Sequence, residues 1–543
     1  MNFKKNDITE LKITDLTVDG TGIGKADGFA FFVPDTAPGD LISMRVLKLK
    51  KSYGYGKIEK IIEPSPCRTT SPCSVFNRCG GCSLQHMTYE AQLEFKQNLV
   101  KNTLIRVGGL PESTDFQPIL AAENPFYYRN KGQYPVAEID GKARTGFFAQ
   151  RSHRLVPFEE GCFINQPTDT QIINAVIDFM NEKGVKAYNE ETAEGTVRHI
   201  LVRTAVKTGE VMVCIVINAD DLPEKEGLSA VLQAFPSVTT AVLNINKKKT
   251  NVILGSENKI LFGKGYITDY IFDLKFKISP LSFFQVNPKQ TEKLYQTVLD
   301  FADLKGDENV FDLFCGIGTI SLLLAGKAGK VTGIEISEQA ISDAKSNAAA
   351  NNISNAEFFA APAEVFAVKQ AEIVKPDLVV VDPPRKGCAP ELLDALLKLS
   401  PEKIIYVSCN PSTLARDLTR LTQAYSVLKV QPVDMFPNTP HVETVVLLSQ
   451  QKPDDYIEVD LDLDELDATS AERKATYQEI KDYVLEEHNL KVSSLYISQI
   501  KRKCGLPVGQ SYNRSKYDNY PIPNCPPDKE DAIRNALQHF QMI

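Results

Sequence analysis

The stretch from Asn309 to Ser321 constrains the fold more than any other part of this 543-residue chain. Val310, Phe311, Leu313 and Phe314 form a short apolar run that stops at Gly316 and Gly318, and Ile320, Leu322, Leu323 and Leu324 follow at helical spacing. The order is strand, glycine turn, helix. Such a turn lets the backbone approach a ligand closely at the carboxyl end of a parallel strand. Gly-x-Gly alone also suits a plain tight connection, so the strands that follow decide. Lys330 to Ile334 ends at Glu335, about 20 residues on, where nucleotide-binding folds hold a ribose through its hydroxyls. Leu378 to Val381 ends in Asp382-Pro383-Pro384-Arg385, and Lys403 to Val407 ends in Ser408-Cys409-Asn410-Pro411. In a doubly wound sheet all of these termini share one rim. Cys409, beside Asn-Pro at a strand end, is exposed to a ligand, unlike Cys214 inside Val213 to Val216; an inert buried thiol is the alternative. A last strand, Thr444 to Leu448, is introduced by His441-Val442-Glu443, which brings a carboxylate close to the same rim.

The length calls for three or four domains, each with its own core. No apolar run approaches the ~20 residues of a membrane span, and the start has no signal-peptide h-region, so a cytoplasmic protein with no membrane partner is expected. Eleven cysteines in such a chain point to metal, cluster or catalytic thiols rather than disulfides. A net charge of -8 by itself argues against a nucleic-acid partner. Eight acidic residues lie between Asp454 and Asp467 with no basic ones, however, so the rest of the chain is neutral and the run reads as a solvated linker.

Residues 1–63 read as a small β-barrel, from alternating strands between Ile8 and Ile62 broken by Asp19-Gly20, Gly22, Gly24 and Pro38-Gly39. Arg45, Lys48, Lys50, Lys51, Lys57 and Lys60 interleave with Tyr53 and Tyr55 there, a composition suited to phosphates and stacked bases. Residues 64–275 read as a central domain with a helix from Tyr89 to Val107, mostly strands from Tyr127 to about Ile271, and a helix near Thr168 to Lys183. Arg129, Lys131, Arg151, His153, Arg154, Arg198, His199 and Arg203 recur at its strand ends, lining an RNA path or simply covering a sheet surface. Cys73, Cys79 and Cys82 surround Gly80-Gly81 and can converge on one centre, and Cys162 far downstream would complete a four-thiolate set whose spacing favours an iron–sulfur cluster over zinc; unrelated buried thiols are the alternative. Cys67 is a possible substitute. Residues 276–450 hold the strands described first, after Ser282-Phe283-Phe284-Gln285-Val286-Asn287-Pro288. Residues 451–543 comprise the acidic linker and a helical tail, with helices at Ala475 to Glu487, Ser494 to Cys504 and from about Asp528; the pair with basic Lys501-Arg502-Lys503 suggests a helix-turn-helix or a small scaffold.

Five motifs occurring in order, Asp312-Leu-Phe-Cys-Gly-x-Gly, Asp382-Pro-x-Arg, Tyr406-Val-Ser-Cys-Asn-Pro, His441-x-Glu443 and the cysteine set, resemble the bacterial RNA uracil-5-methyltransferases, specifically the iron–sulfur RlmD-type ribosomal RNA enzymes. The resemblance covers roughly residues 8 to 450. It implies an α/β protein: an OB-like TRAM barrel, a central mixed domain carrying a [4Fe-4S] cluster on Cys73, Cys79, Cys82 and Cys162, and a Rossmann-like class I methyltransferase domain, with the helical tail outside the common core. It further implies that Gln285, Phe314, Glu335 and Asp382 contact S-adenosylmethionine, that Cys409 is the nucleophile and Glu443 the base, and that the substrate is RNA, 23S ribosomal RNA above transfer RNA, with the protein acting as a monomer. Thr319 and Ala361-Pro362 depart from the family pattern on the donor side. The rivals are an exocyclic-amine methyltransferase, because of Asp382-Pro383-Pro384, and a non-catalytic RNA-binding iron–sulfur protein.

Overall fold

Five strands, Ile8–Leu16, Gly22–Ala26, Phe29–Val33, Leu41–Leu49 and Tyr53–Glu63, close on themselves as a barrel in the computed structural model. Leu11, Ile13, Phe31, Val33, Ile42, Met44 and Val46 alternate inward and fill it. Gly54 is required where it stands, since a Cβ there would lie 2.5 Å from the Phe31 ring. The structure describes residues 3–158, 160–370, 373, 375–451, 477–488, 490–504, 506, 525–540 and 542–543. The chain divides into two compact units, Met1–Asp454 and Asp455–Ile543.

The central sheet runs in the order Glu257–Phe262, Val238–Ile245, Val211–Ile217, Val197–Thr204, Lys131–Ile139, Lys142–Phe148, Leu155–Pro157. Only Val211–Ile217 and Val238–Ile245 pair in parallel, the crossover between them carrying the helix Lys225–Gln233. The helix Pro167–Lys183 buries Ile172, Ile173, Val176 and Met180 in the same core as these strands.

The third sheet runs Ala356–Ala360, Lys330–Glu335, Asn309–Leu313, Leu378–Val381, Lys403–Ser408, Glu443–Gln450, Tyr425–Val433, Asp115–Phe116. The first five strands are parallel, reversing direction of growth beside Asn309–Leu313, and Glu443–Gln450 is inserted antiparallel. This is the doubly wound architecture expected from the strand ends. Two pieces of residues 64–275 belong to it rather than to the central sheet. The strand Asp115–Phe116 pairs with Lys429 and Val430, and the helix Tyr89–Arg106 packs Val100 and Leu104 into the core of Leu414, Leu418 and Val430.

In the second unit the helices Tyr477–His488, Ser494–Lys503 and Pro527–His539 bury Ile480, Val484, Ile497, Ile500, Ile533 and Leu537 together. Lys501 is buried with its ammonium 4.7 Å from the Tyr477 ring centroid, and Lys503 pairs with Glu530 at 2.6 Å. Of the basic triplet, Lys501 and Lys503 are thus engaged within the unit, and Arg502 has no described partner there. The acidic run Asp454 to Asp467 lies outside the described residues.

Candidate active site

Parallel register brings the carboxyl ends of four strands to one rim, with Leu313 paired to both Ile334 and Val381 and Val381 to Tyr406. Phe314, Glu335, Asp382 and Cys409 are the residues just at or beyond those ends. The antiparallel strand presents its amino end there instead. Ser408 pairs with Thr444, so the next residues outward are Cys409 on one strand and Glu443 on its neighbour.

The turn after Asn309–Leu313 has Phe314, Gly316 and Gly318 at φ of 75, 55 and 84°. The N–H groups of Phe314 and Cys315 both donate to Ile334 O at 2.9 Å, which folds the turn over the adjacent strand. A Cβ at Gly318 would approach the Phe358 ring to 3.1 Å. Glu335 is fixed by the same turn, its carboxylate accepting from Gly316 N–H at 3.3 Å and from Ser337 N–H at 3.0 Å. Beneath the turn, Asp312 accepts from Ser321 Oγ, and its other oxygen is buried without a described partner.

Carboxyls are crowded at this rim, and burial drives Asp382 and Glu443 toward their neutral forms. Asp382 is pushed up to about 7 by burial and by Asp312, and Glu443 to about 8 by burial and by Asp382. The Cys409 thiol is raised to about 11 by burial and by the negative charge of Glu443 and Asp382. Arg385 opposes the shift at both Glu443 and Cys409. His441 is held near 4 by burial, helped by the charges of Arg385 and Lys96, so its imidazole is neutral at physiological pH.

One cavity of about 430 Å³ adjoins the rim. It is lined by Cys73, Cys79, Cys82 and Cys162 and also by Gln285, Arg385 and His441. All four cysteines are free thiols. Burial raises each of them, and Cys79, Cys82 and Cys162 are raised further by the neighbouring thiols, Cys162 to about 11. Backbone N–H groups of Gly81, Val75, Phe76, Ile164 and Asn165 and the Gln85 amide point donors at these sulfurs. Among the described residues no three His, Cys, Asp or Glu side chains are arranged to hold a single metal ion. A four-iron cubane spaces its thiolates more widely than one ion does, and buried thiols ringed by N–H donors suit such a group. Cys67 is not among the lining residues; it packs with Leu84 and Met87 beside the barrel.

A tRNA (uracil-5-)-methyltransferase family model matches residues 236–451, and a TRAM domain model matches residues 3–58. A protein of Halalkalibacterium halodurans described as an uncharacterized RNA methyltransferase is 47% identical over 447 residues, spanning 82% of this chain and 97% of its own. This chain belongs to the RNA uracil-5-methyltransferase family. A second such RNA methyltransferase, of Clostridium tetani, is 46% identical over 449 residues, with 82% and 97% covered. Among solved structures, the tRNA (uracil-54, C5)-methyltransferase of Pyrococcus abyssi in complex with S-adenosyl-L-homocysteine superposes with a TM-score of 0.67 at 31% identity, covering 81% of this chain and 99% of that one.

Within this methyltransferase, several cations expected at strand ends are spent internally. Arg203 is 1% exposed and donates to Ser279 O and Ser282 O at 3.0 Å, steadying the loop that leads to Gln285. Arg198 donates to Asn246 O and Lys248 O, and His199 is buried and held near 4 by burial and by Arg198. These three do not form an RNA path. On the barrel, Arg45 and Lys57 both pair with Glu59, while Phe32, Tyr53 and Tyr55 form one aromatic cluster with centroids 5.4 to 5.9 Å apart. Residues to which the sequence assigns no role include Arg385, a cation acting on both reactive groups, and Phe283, 68% exposed on the cavity wall. Phe283 had a signal, since Phe-Phe before a polar turn is an unusual place for a ring to be solvated. No helix of the described residues is long and apolar enough to cross a membrane.

Proposed function

We propose that this enzyme methylates carbon 5 of a uridine in 23S ribosomal RNA through a covalent bond between Cys409 and carbon 6. The observation that carries the reading is the register Ser408↔Thr444, from which Cys409 and Glu443 emerge side by side next to Asp382 and Arg385. S-adenosylmethionine supplies the methyl group. Gln285, Phe314, Glu335 and Asp382 hold it, Glu335 retaining outward lone pairs for ribose hydroxyls while the glycine turn ties the rest of its carboxylate.

Carbon 5 of uracil is too weak a nucleophile to take a methyl group directly. Addition of the Cys409 thiolate to carbon 6 moves an electron pair onto carbon 5 and the carbonyl, and that enolate accepts the methyl. Arg385 favours the thiolate against the burial that disfavours it. Glu443 then takes the carbon 5 proton, the electron pair restores the double bond, and the Cys409–carbon 6 bond breaks. A high Glu443 pKa suits that step, because a carboxylate titrating near 8 is a far stronger base than an ordinary one. The uridine must leave its helix to reach the rim, and the barrel and central sheet are the surfaces that hold the surrounding RNA. Cys73, Cys79, Cys82 and Cys162 bind a [4Fe-4S] cluster with no redox step to perform; its role is to tie two distant loops together. The enzyme acts as a monomer in the cytoplasm.

A transfer RNA substrate is the second reading, favoured by the likeness to the Pyrococcus abyssi enzyme. Mapping 5-methyluridine in both RNAs from a strain lacking the protein separates the two. Loss of the base from 23S ribosomal RNA alone supports the proposal, loss from transfer RNA alone supports the second reading, and an unchanged pattern in both refutes uridine methylation.

A further inference from the structure

Residues 434–442, which join Tyr425–Val433 to Glu443–Gln450, form a long hairpin connection that is buried along most of its length. Hairpin connections usually run over the surface in two to five residues, because a buried one must satisfy its backbone polar groups from elsewhere. Here five successive carbonyls are satisfied by donors from four separate places. Asp434 O accepts from Gln290 Nε2 at 3.0 Å and Met435 O from Asn287 Nδ2 at 3.0 Å, both from the start of the helix Pro288–Ala302. Phe436 O accepts from Lys96 Nζ at 3.0 Å and Pro437 O from Tyr128 Oη at 3.1 Å. Asn438 O accepts from the N–H groups of Ser83 and Leu84, at 3.1 and 3.0 Å. Ser83 directly follows Cys82.

Asn438 is the pivot of this arrangement. It is buried at φ 68, a left-handed conformation that needs support in any residue but glycine. Its N–H donates to Gln92 Oε1 at 2.8 Å, its Oδ1 accepts from Gln92 Nε2 at 3.2 Å, and its Nδ2 donates to Pro125 O at 2.7 Å. Gln92 belongs to the helix Tyr89–Arg106, whose Lys96 also pairs with Asp434 at 2.5 Å, and Tyr89 Oη donates to the other Asp434 oxygen at 2.8 Å. At the far end of the segment, Glu443 begins its strand with a carboxylate that receives no hydrogen bond among the described residues. A base kept free of hydrogen bonds can take a proton, but no hydrogen bond aims it. Its direction is set by the backbone that delivers it.

We propose that Asn438 is a positioning residue for Glu443, clamped by Gln92 and by the backbone following Cys82, so that the cysteine-bearing loop fixes the aim of the catalytic carboxylate. The inference rests on Glu443 being the base that resolves the covalent adduct. Loosening the clamp slows the last step and leaves the earlier ones in place.

The test uses the full chain with Asn438→Gly, which tolerates the left-handed backbone and removes only the side chain, and Gln92→Ala, which opens the same link from the helix. Each is expected to lower kcat about 10- to 100-fold, the loss typical of a displaced catalytic group. S-adenosylhomocysteine affinity and kcat/KM for RNA should stay within about twofold, because slowing a step after adduct formation lowers kcat and KM together. A denaturant-resistant protein–RNA adduct should accumulate, as in Glu443→Gln. Asn438→Asp keeps an acceptor for Gln92 and should fall between Asn438→Gly and the parent. If Glu443→Gln traps adduct while both clamp variants turn over normally without it, the positioning role is wrong. If Glu443→Gln itself traps none, the base assignment fails and this inference with it. Should Asn438→Gly not fold, Gln92→Ala decides by the same readings, and equal loss of donor affinity and turnover there would mark a purely structural role.

Discussion

Replacing Glu443 by Gln should cost activity and gain stability, and the gain should grow with pH. The carboxyl titrates near 8 in the fold against an ordinary value of 4.5, mainly because burial strips its water and secondarily because Asp382 faces it. A folded pKa above the unfolded one means that the native state holds the proton more tightly. The contribution is therefore fully present below pH 4.5 and is lost as pH rises through 8. Between those limits each pH unit weakens the native state by about 1.4 kcal/mol, which sets a ceiling of roughly 5 kcal/mol above pH 8. Relaxation of the site and the attraction of Arg385 reduce this, so an observed gain of about 2 kcal/mol for the neutral amide at pH 8.5 is expected, and less than about 1 kcal/mol at pH 5. Urea unfolding of parent and variant at pH 5, 7 and 8.5, without methyl donor, measures it. A difference independent of pH, or a parent more stable than Glu443→Gln at pH 8.5, would refute the buried, destabilised carboxylate.

Lys96→Met should destabilise the chain by about 3 to 5 kcal/mol, because it leaves Asp434 charged and buried with only the Tyr89 hydroxyl; denaturant unfolding at neutral pH checks it. Anaerobically purified protein should be brown, and Cys79→Ser should bleach it and lower its melting temperature; a colourless protein with stoichiometric zinc would remove the cluster. Deleting residues 455–543 should leave S-adenosylhomocysteine affinity, read by calorimetry, unchanged within about twofold, since residues up to 454 form their own compact unit.

The rim of the active site was legible because parallel strands announce their ends. Apolar runs stopping at Glu335, Asp382 and Cys409 place those residues together once the sheet is doubly wound, whatever the loops do. The pairing that sets Glu443 beside Cys409 was only half legible, since an antiparallel insertion shows in register and not in periodicity. The helix Tyr89–Arg106 is legible from its pattern, but the core it packs into is not. Two of its core-facing positions are Gln92 and Lys96, and such residues read as a solvated face until the buried carbonyls they serve are seen. Arg203 is a similar case, a charged strand residue whose Nη1 donates to carbonyls that come from 76 and 79 positions away. In the tail, Lys501 belongs to a basic triplet in sequence and is laid against Tyr477 in the fold.

The central claim, a covalent bond between Cys409 and the target base, is tested most directly by denaturing electrophoresis of the enzyme incubated with labelled ribosomal RNA and S-adenosylmethionine. Glu443→Gln should give a slow-migrating protein–RNA band that survives denaturant, because the bond forms and cannot resolve. The double variant Glu443→Gln/Cys409→Ala should bind the RNA and give no such band. A band that persists without the Cys409 thiol, or full turnover by Cys409→Ala, would contradict the account.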